Sequence, residues 1–331
     1  MGSPGSLIRM GLLALMWGSS FLWIKLALGG LSPVQIALIR TALGGVVLVA
    51  LCYSRGQRLP SDRRLWKHFA AVALFGSLIP FVLFPLGEQS VDSGVAGVLN
   101  STTPLWALLF GVLAGLERRL NPVRLVGLVL GFVGTLLIFA PWQAAGLASW
   151  GSVACLAAAA SYAVAYTYIG KFLSGLGLPP AALSSATLVF ATGLTVLVVP
   201  VAGLQPMHLS PAVLLAVAVL GVFGTGIAQA INYRLIADEG ATNATTVGYL
   251  LPVVSVLLGA AFLHEDLNLR VVAGMVVVLV GVALTRRRKA APTPAADSAV
   301  TTLAGPSEPA GAVTAAEAVA SAVQPTAARA D

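Results

Sequence analysis

The chain has 331 residues, of which 58% are hydrophobic and only 9% charged, with a formal net charge of +7; its mean hydropathy is +0.92. Water-soluble domains carry about 25% charged residues, so the composition excludes a soluble enzyme and points to a chain whose outer surface meets lipid. Apolar sequence fills most of positions 7 to 285, room for about ten crossings of roughly 20 residues each.

Pro, Gly and short charged clusters divide this stretch into predicted spans over 7–28, 33–53, 66–87, 91–115, 122–140, 148–170, 179–201, 211–236, 241–263 and 268–285. The first run is too long for a cleavable signal, contains Lys25 and lacks a small-x-small cleavage pattern, so it is predicted to be a spanning helix. Cys52 and Cys155 lie inside apolar segments, as buried free thiols do. After Thr285 come Arg286, Arg287, Arg288 and Lys289, then an Ala/Pro/Thr/Ser tail over 290–331 that is expected to be disordered. Metal-ligand spacings, phosphate-binding loops, dinucleotide glycine patterns and nucleophile motifs are all missing, so neither an enzyme nor a cofactor, metal or nucleic-acid partner is expected; the partners expected are membrane lipid and a small-molecule substrate.

Cytoplasmic loops retain Lys and Arg, which orients the chain. Under a ten-helix arrangement, fifteen of the 19 basic residues fall on one face: Arg9, the Arg55–Lys67 group, Arg118, Arg119, Arg124, Lys171, Arg234 and the run after Thr285. Arg270 alone falls on the other, while Lys25 and Arg40 lie within spans and Arg329 in the tail. Both termini are therefore expected in the cytoplasm.

The chain also repeats itself. From Gly94 it reads GVAGVLNSTTPLWALLFGVLAGLERRLNPVRLVGLVLGFVGTLLI, and from Gly240 GATNATTVGYLLPVVSVLLGAAFLHEDLNLRVVAGMVVVLVGVALT. Pro104 pairs with Pro252, Glu117 with Glu265, Asn121 with Asn268, Gly127 with Gly274 and Gly134 with Gly281. Five helices per copy is an odd number, so the second copy must lie upside down relative to the first. The charges agree: Arg118, Arg119 and Arg124 surround Glu117, whereas His264, Asp266 and Arg270 surround Glu265. The expected organisation is an all-α membrane protein with one repeat over 1–143, an inverted repeat over 144–289 and a tail over 290–331. Inverted repeats are a device for alternating access, because two halves of similar packing exchange shapes about a central site.

The segment WGSSFLWIKLAL in the first helix, Arg40 in the second, and the twice-occurring Gly/Pro helix, Glu turn and Gly-spaced final helix resemble the EamA family of the drug/metabolite transporter superfamily. The resemblance runs over about 7–285 and is weaker around SYAVAYTYIGKFL. It implies ten helices, a multi-pass protein of a prokaryotic plasma membrane, and export of small metabolites, most often amino acids or related compounds. Export of lipophilic cations and a non-transporting scaffold tethered by the tail are the alternatives. A monomer or a homodimer is compatible with the sequence.

Pro104 and Pro252 interrupt backbone bonding where water cannot replace it, so their helices are expected to line a cavity, with a packing kink as the alternative. Polar residues surround both: Asn100, Ser101, Thr102 and Thr103 near the first; Thr245, Thr246 and Tyr249 near the second. Gln229 and Asn232 should point into the bundle, as substrate contacts or as interhelical bonds. Trp17, Tyr162 and Tyr166 are expected to give the cavity an aromatic wall, although Trp and Tyr, among them Trp23 and Trp106, also anchor helices at membrane interfaces. The expected substrate contacts are thus Trp17, Asn100, Thr103, Tyr162, Tyr166, Gln229, Asn232 and Tyr249. Three charges are candidates for gating or proton coupling. Lys25 either snorkels to headgroups or serves a gate; Arg40 needs a partner such as Glu88, Asp92 or a phosphate; Glu88 is either a buried carboxylate suited to a coupling proton or an exposed loop carboxylate beside Asp92. Glu117 and Glu265 are assigned to helix capping or local pairing.

Overall fold

The computed structural model describes residues 4–91, 93–116, 121–140, 149–254 and 269–285, and among these every regular element is helical. Helices begin where the sequence supplies a cap followed by Pro, whose missing N–H costs nothing in a first turn. Ser32–Pro33, Asn121–Pro122 and Ser210–Pro211 are such starts; each cap side chain accepts a backbone N–H, and Ser32 forms a reciprocal box with Gln35.

In chain order the helices are α1 (Pro4–Gly18), α2 (Ser20–Ala27), α3 (Pro33–Ser54), α4 (Arg63–Ala73), α5 (Ile79–Glu88), α6 (Ser93–Asn100), α7 (Thr103–Leu113), α8 (Pro122–Phe139), α9 (Trp150–Phe172), α10 (Pro180–Ala202), α11 (Pro211–Gly221), α12 (Ala228–Glu239), α13 (Ala241–Ala244) and α14 (Leu269–Thr285). Among the described residues seven helical stretches are long and apolar enough to cross a membrane, and 122–138, 245–254 and 269–285 are shorter apolar helices. The molecule is accordingly an all-helical, multi-pass membrane protein. Glu117, Glu265, Asp92 and the tail lie outside the described residues.

Three predicted spans are less regular than expected. The first breaks at Ser19 between α1 and α2. The fourth breaks at Ser101 and Thr102, so Pro104 opens a new helix rather than kinking a continuous one. The carbonyls released there are taken up locally: Ser101 donates to Val98 O at 2.6 Å, Thr102 to Leu99 O at 2.6 Å and Thr103 to Asn100 O at 2.7 Å. In the ninth, a 3₁₀ turn over Thr245–Tyr249 precedes Pro252, and Thr246 donates to Asn243 O at 2.7 Å. Hydroxyl-rich sequence ahead of each proline thus satisfies the broken backbone from within, as lipid surroundings require.

Two further spans contain π-helical turns, Leu74–Leu78 between α4 and α5 and Val222–Ile227 between α11 and α12. Pro80 cannot donate to the carbonyl of Gly76, which is one reason the α ladder slips there. Carbonyls of both turns are bonded by side chains of neighbouring helices: Ser161 Oγ donates to Phe75 O at 2.7 Å and Trp17 Nε1 to Gly224 O at 3.2 Å.

Packing between the first and second parts of the chain is reciprocal. Helix α8 lies along α14 and α3 along α10, while the contact of α5 with α9 has its counterpart in α11 with α2. The α8–α14 seam is closed by glycine, because a Cβ on Gly134 would sit 2.7 Å from the Val278 backbone nitrogen and one on Gly281 2.7 Å from the Gly127 carbonyl. On one face, Arg9 pairs with Asp238 at 2.7 Å and Ser6 bonds to Glu239, tying the start of α1 to the end of α12.

Candidate functional site

A cavity of about 920 Å³, including the part open to solvent, is lined by α1–α7, α9, α10, α12, the first π turn and the 3₁₀ turn; among the described residues α8, α14 and the second π turn contribute nothing to it. Its wall is aromatic on one side. Phe84 stacks on Tyr162 at 5.9 Å between centroids, Phe81 meets Tyr162 edge-on at 6.5 Å, and Phe21 meets Phe84 edge-on at 5.6 Å. Such rings supply large, flat apolar area with defined geometry.

The polar side is built from amides and hydroxyls. Tyr166 donates to Asn232 Oδ1 at 2.9 Å, and Asn232 Nδ2 donates in turn to Gln229 Oε1 at 3.3 Å. Thr103 Oγ1 approaches Asn100 Oδ1 at 3.3 Å, and Tyr233 donates to Thr187 Oγ1 at 3.0 Å. Buried polar groups need partners, so these bonds keep the side chains within the bundle.

Of the eight expected substrate contacts, the structure brings seven to this one cavity: Trp17, Asn100, Thr103, Tyr162, Tyr166, Gln229 and Asn232. Tyr249 is not among them. It is fully buried, its ring fills the space over Gly131, and its hydroxyl has no hydrogen-bond partner. The sequence showed a tyrosine in a polar stretch but not that the 3₁₀ turn directs it toward α8. Pro104 and Pro252 flank the cavity without lining it. Trp23 packs beside an apolar cluster containing Ile24, Ile36 and Val217, and Trp106 stacks on Phe110 at 5.9 Å.

Lys25 is exposed, and its Nζ donates to the backbone carbonyl of Glu88 at 2.7 Å. Glu88 is fully buried, which overturns the exposed-loop alternative; Oε2 accepts from Ser93 at 3.0 Å and Oε1 has no partner. Arg40 makes no ion pair among the described residues. Its Nε donates to Thr225 Oγ1 at 3.1 Å, in the second π turn, and its guanidinium lies 3.8 Å from the centroid of Phe81. Arg40 lines the cavity itself.

Sequence reading missed Ser77, Phe81, Phe84 and Thr187 as lining residues. One signal was present: Phe75-Gly76-Ser77 recurs as Phe223-Gly224-Thr225 at the same separation as Pro104 and Pro252, and these are the two π turns.

Residues 6–140 and 149–287 each match the model of the EamA-like transporter family. The chain belongs to that family. Relatives include the uncharacterized inner membrane transporter YedA of Escherichia coli K12, 29% identical over 77% of this chain and 82% of its own length. An uncharacterized transporter of Archaeoglobus fulgidus is 29% identical over 85% of this chain and 99% of its own. The chloroplastic WAT1-related protein At3g02690 of Arabidopsis thaliana is 25% identical over 81% of this chain and 66% of its own. A solved crystal structure superposes with a TM-score of 0.67 over 86% of this chain and 97% of its own, at 20% identity, and so shares the fold. The EamA-like chain is thus a membrane transporter by family.

Proposed function

We propose that this protein is a ten-helix secondary transporter that works by alternating access. Two inverted halves, 1–143 and 144–289, rock around the central cavity and export small amphipathic metabolites, amino acids or related compounds, across a prokaryotic plasma membrane with both termini in the cytoplasm. One observation carries this reading: the cavity is framed by equivalent elements of both halves, with Gly76 and Ser77 of one π turn lining it and Thr225 of the other holding the Arg40 side chain that lines it. π turns recur at functional sites because they rotate side chains out of helical register. Reciprocal packing between the halves supports two interchangeable arrangements of similar energy. Arg9 and Arg234 meeting at Asp238 supports the assignment of both to one face.

Glu88 is the group we assign to proton coupling, being a buried carboxylate with one free oxygen close to two cations. Export of lipophilic cations draws no support from the site, since no carboxylate lines the cavity among the described residues.

Counterflow in proteoliposomes tests the reading. Vesicles loaded with one amino acid, or with the corresponding deaminated acid, should accumulate its radiolabelled form, and an inward or outward pH gradient should change the rate. Silence across the whole panel would reject transport of this substrate class.

A further inference from the structure

The cavity's hydrogen-bonding inventory is lopsided. Each amide oxygen of Asn100, Gln229 and Asn232 already accepts a bond from within the protein. The donors are less engaged: among the described residues Gln229 Nε2 and Asn100 Nδ2 have no acceptor, and of the five N–H groups of Arg40 only the one on Nε is used. Arg40 is 4% exposed and lines the cavity, so its guanidinium presents terminal N–H donors at the cavity wall.

Charge is lopsided in the same sense. Lys25 and Arg40 both act on the carboxyl group of Glu88, so among the described residues of this cluster cations outnumber carboxylates two to one. A guanidinium within the bilayer span is costly unless it is paired, and the ring of Phe81 is a weak substitute for an anion. The rings of Phe81, Phe84 and Tyr162 stand beside it, offering apolar surface to whatever the guanidinium holds.

We infer that the cavity selects organic monocarboxylates, an apolar or aromatic body bearing one carboxylate and no ammonium, with Arg40 as the anchoring cation. The inference rests on the cavity being the substrate site and narrows the substrates proposed above to the acid over the zwitterion. A carboxylate accepts the paired terminal N–H groups of a guanidinium in a two-bond fork, which Nε bonding to Thr225 leaves available. A zwitterion would bring an ammonium to a cavity whose described lining holds no carboxylate to receive it, Glu88 lying behind that lining, and a cation would add to the existing excess. Selection follows as much from those mismatches as from the attraction.

The test is isothermal titration of the full-length protein, purified in detergent, with three compounds of one ring and one chain length: 3-phenylpropionate, phenylalanine and phenethylamine. The acid is expected to bind at least about tenfold more tightly than either other compound, the scale of a single charge mismatch at a buried site. In Arg40→Gln its affinity should fall about thirtyfold or more, with Arg40→Lys between the two because it keeps the charge and loses the fork. Equal affinity for phenylalanine or phenethylamine, undiminished binding in Arg40→Gln, or no binding by any of the three would overturn the inference. The comparison among ligands uses the unaltered protein, so it stands even if an Arg40 variant fails to fold. Binding needs no turnover: the acid bound as expected without counterflow would reject the transport reading and leave the carboxylate site, while counterflow indifferent to the carboxylate would do the reverse.

Discussion

The ammonium of Lys25 is bonded to the backbone carbonyl of Glu88 at 2.7 Å, while the carboxylate of the same residue turns to Ser93 and leaves Oε1 unpaired. Residue 88 therefore anchors α2 through its main chain while one oxygen of its carboxyl group stays unbonded. Replacing Glu88 with Gln preserves the shape, and the carbonyl that holds Lys25. Glu88→Gln is expected to retain substrate exchange between vesicles and medium and to lose the response to a pH gradient. Gradient stimulation equal to that of the unaltered protein would exclude Glu88 as the coupling group.

The seam between α8 and α14 has no room for side chains at its glycines. A Cβ on Gly281 would meet Gly127 O at 2.7 Å and Gly131 Cα at 3.0 Å, both rigid backbone atoms. Gly281→Ala should destabilise the protein by about 1–3 kcal/mol, the usual cost of overpacking a closed contact. A lowered thermal midpoint in detergent would show it, whereas Gly193→Ala, where nothing lies within 4 Å, should leave the midpoint nearly unchanged.

Tyr166 and Tyr249 are both buried phenols with opposite bonding. Tyr166 donates to Asn232, and Tyr249 has no partner. Tyr166→Phe removes a bond and leaves Asn232 Oδ1 without its donor, a loss of about 1 kcal/mol. Tyr249→Phe removes only an unsatisfied group and should be neutral or stabilising. Paired melting curves distinguish the two, and normal substrate affinity in Tyr249→Phe would agree with its place outside the cavity.

Cys52 and Cys155 are free thiols, each fully buried. A membrane-impermeant maleimide should leave both unmodified in the folded protein and label both after denaturation. Rapid labelling of Cys155 in the native state would reveal a conformation in which the α5–α9 contact opens.

Much of this protein was legible in its residues because lipid imposes one strong rule: backbone bonds must close within each span. Composition dictated a membrane protein, Ser-Pro and Asn-Pro pairs marked helix starts, and the paired segments around Pro104 and Pro252 identified the helices that break. Polar residues in an apolar chain must turn inward, and that reasoning alone gathered Asn100, Thr103, Gln229 and Asn232 toward one place. It did not separate Tyr249 from Tyr166, since the choice depends on a 3₁₀ turn and a glycine on a distant helix. Nor did it find the bonding of the three charges. The candidate partners of Arg40 were Glu88, Asp92 and a phosphate; the contacts it makes among the described residues include Thr225 and Phe81, far from it in the chain, which α3 brings together with a π turn and α5. Which side chains are inside is settled by solvation, a property of each residue in its own segment. Which of them touch is settled by how helices cross and where their ladders slip, and only the packed bundle decides that.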